Sequence, residues 1–134
     1  MRTKSRLWVV VLAGGDGRRL AAATTDRHGT HVPKQFCRFG ASTSILHHAL
    51  DRAARMAEPE RTLAVVQDAH RRWWEPELRD LPAGNVIAQP GNRGTAVALL
   101  HALCTILARD PEALVLVLPS DQEVEDELTW YATL

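Results

Sequence analysis

Three short segments of this chain carry residue types suited to handling a phosphate. The first is Ala13-Gly14-Gly15-Asp16-Gly17-Arg18. Its glycines can take positive φ and let an anion approach the backbone closely. Their amides, ahead of a helical turn, would form an anion nest, and the Arg18 guanidinium can pair with phosphate through two parallel hydrogen bonds. The second is Pro33-Lys34-Gln35-Phe36, where the Lys34 ammonium could neutralise a transferring phosphoryl group while Pro33 limits its wandering. The third is Leu118-Pro119-Ser120-Asp121, which places a carboxylate able to hold a divalent cation at the end of an apolar run. Each has a plainer reading. The glycines could serve only a sharp strand-to-helix turn with Arg18 in water, Lys34 could be a solvated loop lysine, and Asp121 could cap a helix, although Ser120 caps equally well.

A fourth segment, Gln89-Pro90-Gly91-Asn92-Arg93-Gly94-Thr95-Ala96, offers a side-chain amide that can both give and accept a hydrogen bond at a base edge. Gly94 would permit close approach of that base, with Thr95 opening the helix behind it. The alternative is a simple turn. Two familiar glycine motifs are excluded. No Gly-Lys-Ser/Thr follows the turn, so it is not a P-loop. The dinucleotide fingerprint requires glycine where Leu20 stands, and Asp68 is the sole weak candidate for its acidic ribose ligand. His28, His31, His47 and His48 lack zinc-like partners. Trp73 and Trp74 read as core or interface, and Arg71 and Arg72 as a solvated helix face.

These groups need a scaffold. Leu7–Ala13 is short, continuous and β-branched, the pattern of a buried strand. Residues 14–39 form a long polar loop with one helical turn near 19–23, and loops of that length are often functional. Ser42 or Thr43 is placed to cap a helix with an apolar stripe of Ile45, Leu46, Ala49, Leu50, Ala53 and Met56. Strands follow at 62–66, 86–88 and 113–118, separated by helices at 69–81 (anchored by Trp73, Trp74 and Leu78) and 95–107. A last helix is expected near Glu123, capped by Ser120. The alternation of strand and helix predicts an α/β fold, three-layered and Rossmann-like, with a mostly parallel sheet.

The 134 residues suit one domain. The hydrophobic content of 46% and the balance of 16 Lys/Arg against 16 Asp/Glu give no reason to expect nucleic acid or anionic lipid as a partner. Charge is nevertheless uneven: residues 1–61 hold 11 of the basic and 5 of the acidic side chains. The basic half bears the glycine turn and the acidic half bears Asp121. Cys37 and Cys104 are too few for a disulfide scaffold and read as reduced. No apolar run is long enough to span a bilayer, and a cytoplasmic location is the default expectation.

Taken together, the segments resemble a known family. Leu12-Ala13-Gly14-Gly15-Asp16-Gly17-Arg18-Arg19-Leu20 is similar to the L-A-G-G-x-G-x-R-L loop of sugar-nucleotide pyrophosphorylases. Pro33-Lys34-Gln35-Phe36, Pro90–Ala96 and Val117–Asp121 resemble the lysine, P-x-x-R-N-T-A and metal-carrying segments of its mannose-1-phosphate guanylyltransferase branch. The resemblance implies the N-terminal, nucleotide-binding part of a GT-A-like nucleotidyltransferase domain over residues 1–134, cut short in its last helix. It implies transfer from GTP to mannose-1-phosphate, giving GDP-mannose and pyrophosphate. The implied roles are phosphate binding for residues 13–18, phosphates at the reacting centre for Lys34, Mg²⁺ for Asp121, and base recognition for Gln89, Asn92, Gly94 and Thr95. Three positions depart from the branch: Gln89 for its usual Glu, Gly94 for Asn, and Gln122 for His. Gln89 keeps thymine and uracil nucleotides, and hence another hexose-1-phosphate, open beside guanine. The family's second half supplies sugar-recognition loops and a second metal-binding Asp, so this chain alone is expected to bind nucleotide weakly with little transferase activity. A non-catalytic nucleotide-binding fragment is the competing reading, and a homo-oligomer of the complete protein is compatible with the sequence.

Overall fold

The computed structural model describes residues 6–134. Four strands, β1 (Leu7–Ala13), β2 (Thr62–Gln67), β3 (Val86–Gln89) and β4 (Leu114–Pro119), form one sheet in the order β3-β2-β1-β4, with every neighbouring pair parallel. The continuous apolar run of β1 is explained by burial on both faces. Val9, Val11 and Ala13 point into one core, while Trp8 and Val10 point into another.

The first core is covered by α2 (Ile45–Ala54) and α3 (Arg71–Glu77), which contribute Leu46, Ala49, Ala53 and Trp74. The second is covered by α4 (Thr95–Arg109), through Ala102 and Ile106. The three-layer α/β expectation is therefore met. Although α4 is almost wholly apolar, only one stripe of it meets the sheet, and Leu100, Leu103 and Leu107 are exposed.

Local details correct the sequence reading. The cap of α2 is neither Ser42 nor Thr43 but Ser44, whose Oγ accepts from the His47 amide and donates to Glu77. The 69–81 helix divides into a 3-10 turn, Asp68–His70, and α3, which ends one residue beyond Pro76. The 14–39 loop holds a 3-10 turn at Arg18–Leu20, then α1 (Ala21–Thr24), and Thr25 bridges His31. The last helix, α5 (Glu127–Ala132), is capped by Asp126, not Ser120. The Ser120 hydroxyl donates to the Leu12 carbonyl at 2.6 Å, and the helix starts seven residues beyond it, out of its reach. Residues 121–126 are irregular. Both cysteines are free, and Cys104 is exposed.

Candidate functional site

Chain direction sets where a site can form. From β1 the sheet grows through β2 to β3 on one side, while β4 is added on the other. The strand order therefore reverses between β1 and β4, and open α/β sheets bind ligands at the strands' carboxyl ends beside such a switch. A cleft of about 350 Å³ occupies that place, lined by Leu12, Gly14, Gly15, Gly17, Lys34, Gln35, Val65, Gln89, Asn92, Gly94, Thr95, Ala98, Pro119, Ser120 and Asp121. All four segments singled out in the sequence meet there.

The glycine turn forms one wall, and its carbonyls are drawn into the protein by buried amides. Gln35 Nε2 donates to the carbonyls of Ala13 (3.0 Å) and Gly15 (2.9 Å). Gln67 Nε2 donates to the Gly14 carbonyl and, at 2.9 Å, to the Asp16 carboxylate. His31 Nε2 meets the Asp16 carbonyl at 2.8 Å, and His70 Nε2 lies 3.6 Å from the Asp16 carboxylate. Burial holds the His70 imidazole below its usual 6.5, partly opposed by the Asp16 charge. Among the described residues, no hydrogen bond uses the amides of Gly15, Asp16 or Gly17. A turn with its carbonyls satisfied behind it and its amides uncommitted can receive an anion. Gly17 has φ +64°, and a Cβ there would lie 2.9 Å from the Lys34 amide nitrogen, so only glycine fits against the lysine segment.

The opposite wall is the segment after β4. Leu12 receives both the Ser120 amide (3.1 Å) and its hydroxyl, which extends the β1–β4 ladder to the cleft. Lys34 Nζ donates to the Asp121 carbonyl at 3.0 Å and stands 3.9 Å from its carboxylate. The third wall is the end of β3 and the start of α4. Gly94 takes φ +88°, and its amide donates to Asn92 Oδ1 at 2.9 Å. Gln89 is buried, yet its side-chain amide has no hydrogen-bond partner among the described residues.

The structure thus gathers Gly14, Gly15, Gly17, Lys34, Gln89, Asn92, Gly94, Thr95 and Asp121 around one space. It does not bring Arg18 into the lining: that side chain is 87% exposed, its Nε 4.0 Å from Asp16. Ala13 and Asp16 face the protein and shape the turn. Gln35 and Gln67 escaped the sequence reading, although Gln35 follows Lys34 directly. Asp121 is a single open carboxylate, and no group of three or more His, Cys, Asp or Glu is placed to hold a metal among the described residues. That donor set fits a hard cation that arrives with phosphate and water ligands of its own. No helix of the described residues is long and apolar enough to cross a membrane.

Comparison with known proteins agrees with this geometry. The family model described as nucleotidyl transferase matches residues 8–133. A mannose-1-phosphate guanylyltransferase of Salmonella muenchen is 34% identical over 127 residues, 92% of this chain and 26% of that protein. Another from Escherichia coli strain K12 is 31% identical over 128 residues, again 92% and 26%. A solved structure titled as mannose-1-phosphate geranyltransferase from Thermus thermophilus superposes with a TM-score of 0.74 at 29% identity, covering 96% of this chain and 37% of that one. The chain spans about a quarter of the length of the curated relatives it matches. By the extent of the model match, this chain belongs to the nucleotidyl transferase family.

Proposed function

We propose that the cleft is the nucleotide side of a site transferring a nucleotidyl group from GTP to mannose-1-phosphate, yielding GDP-mannose and pyrophosphate. The observation that carries this reading is the meeting of Lys34 with Asp121 across from a glycine turn whose amides are uncommitted. A phosphate oxygen of the sugar-1-phosphate attacks the α-phosphorus, the bond from that phosphorus to the β-bridging oxygen breaks, and pyrophosphate leaves. A phosphate nucleophile needs no strong base, so positioning and charge neutralisation suffice. The amides of the turn, with Arg18 reaching in from solvent, hold the β- and γ-phosphates. Lys34 screens the α-phosphate and the incoming phosphate. Asp121 would hold Mg²⁺, which when bound adds positive charge at the transfer centre.

Gln89 supplies the base contact. Its amide matches an acceptor beside an N–H, an edge that guanine presents, but thymine and uracil present one too. This supports a second reading with dTTP or UTP as donor. Parallel titrations of the chain with GTP, dTTP and UTP, with and without Mg²⁺, test both. GTP is expected to bind tightest, and more tightly with Mg²⁺ than without it, and Lys34→Ala to weaken it at least tenfold. Tighter dTTP or UTP moves the base assignment, and no binding of any nucleotide ends the proposal.

A further inference from the structure

Arginine is seldom fully buried unless paired, yet Arg52 sits on the core side of α2 beside Ala49 and Ala53, its side chain 5% exposed. Nothing within the helix calls for a guanidinium there. Its partners lie beyond β4. Nη2 donates to the Gln122 carbonyl at 2.9 Å, and Nη1 stands 3.7 Å from Glu127, which Arg55 also approaches at 3.5 Å.

Three neighbouring residues are thereby tied to three different elements. Ser120 is bonded to β1, the Asp121 carbonyl to Lys34, and the Gln122 carbonyl to Arg52. The peptide unit after Asp121 is thus held directly and the units one residue further out on each side are held too, which restricts the direction in which its side chain leaves the backbone. We propose that Arg52 is a positioning residue that aims the Asp121 carboxylate into the cleft by holding the Gln122 carbonyl, and so sets the affinity for the divalent cation. This rests on the reading of Asp121 as the cation-holding residue. The chemistry of the head group suits such a role, since a guanidinium fork serves a carbonyl and a carboxylate at once. Glu127, shared with Arg55, offsets part of its charge beside a carboxylate that must attract a cation.

The test uses the whole chain in three forms: unaltered, Arg52→Gln and Arg52→Lys. Amide hydrogen exchange reads the segment, and water-proton relaxation reads Mn²⁺ binding in the presence of GTP. Metal-free GTP affinity is the control. Arg52→Gln is expected to speed exchange across 120–127 at least tenfold, leave the β1 amides within twofold, and weaken Mn²⁺ about fivefold with metal-free GTP affinity unchanged. Arg52→Lys keeps the charge opposite Glu127 but loses the fork, and should show the same pattern more weakly. It also decides the matter if the glutamine variant does not fold. Exchange that rises uniformly through the core, or a loosened segment with unchanged Mn²⁺ affinity, overturns the proposal. If the unaltered chain takes up no Mn²⁺, the cation reading of Asp121 falls, and the aiming role with it; the exchange data alone then decide whether Arg52 holds the segment.

Discussion

The two walls of the cleft are held by opposite chemical means. Behind the glycine turn, neutral amides of Gln35 and Gln67 satisfy the carbonyls. Behind Asp121, cations do the equivalent work, with Lys34 and Arg52 on successive carbonyls. On the proposed function, the difference follows from what each wall would attract. A turn that, on this reading, receives an anion through its own amides gains from uncharged donors that satisfy its carbonyls and leave those amides free. A wall that presents a carboxylate needs its backbone anchored without that carboxylate being consumed, and the cations take the carbonyl oxygens.

The largest effect expected from breaking this contrast is on the amide-held wall. Gln35→Leu keeps apolar bulk but strands two carbonyls, and a buried unsatisfied group costs about 1–3 kcal/mol. Denaturant unfolding should show a loss of about 3 kcal/mol; a loss under about 1 kcal/mol would mean that water replaces the amide. Gly17→Ala comes next. Its positive φ and the clash at the Lys34 amide should together cost about 2 kcal/mol. Gly15→Ala, with nothing within 4 Å of the added methyl group, should cost less than about 1 kcal/mol. Equal effects would show that the turn does not rest on the lysine segment.

The smallest effect concerns pH. His70 is held below 6.5 by burial, with the Asp16 charge opposing and His31 adding to the depression. The unfolded chain therefore binds the proton more readily than the folded one. The contribution to stability is complete above about pH 6.5 and declines as pH falls toward the folded value. Urea midpoints measured between about pH 7.5 and 5 should fall further in the unaltered chain than in His70→Asn. A pH dependence identical in both would assign the effect elsewhere.

Much of this site was legible in the sequence, because its main signals are local. Glycines after an apolar strand, a lysine behind proline, and an aspartate closing β4 each announce themselves within a few residues, and parallel β topology brings them together. What escaped depends on distance. Gln35 is an ordinary polar residue until the fold carries the Ala13 and Gly15 carbonyls to it, and Arg52 looks like one more surface cation until Gln122 and Glu127 arrive. The caps failed for another reason. Ser42, Thr43 and Ser44 offer equivalent oxygens in a row, and Ser120 looks like a cap until the helix is found to begin only at Glu127. Arg18 is the reverse case: its type suits phosphate, but a long solvated side chain has no fixed place.

The bond from Lys34 to Asp121 joins positions 87 apart. Closing a loop of that length costs entropy before any contact repays it, and contacts of such range form slowly. Both walls must be assembled before they can meet, so the ability to bind a nucleotide should be among the last properties acquired as the chain folds. On the proposed function, a nascent or damaged chain would leave the nucleotide alone.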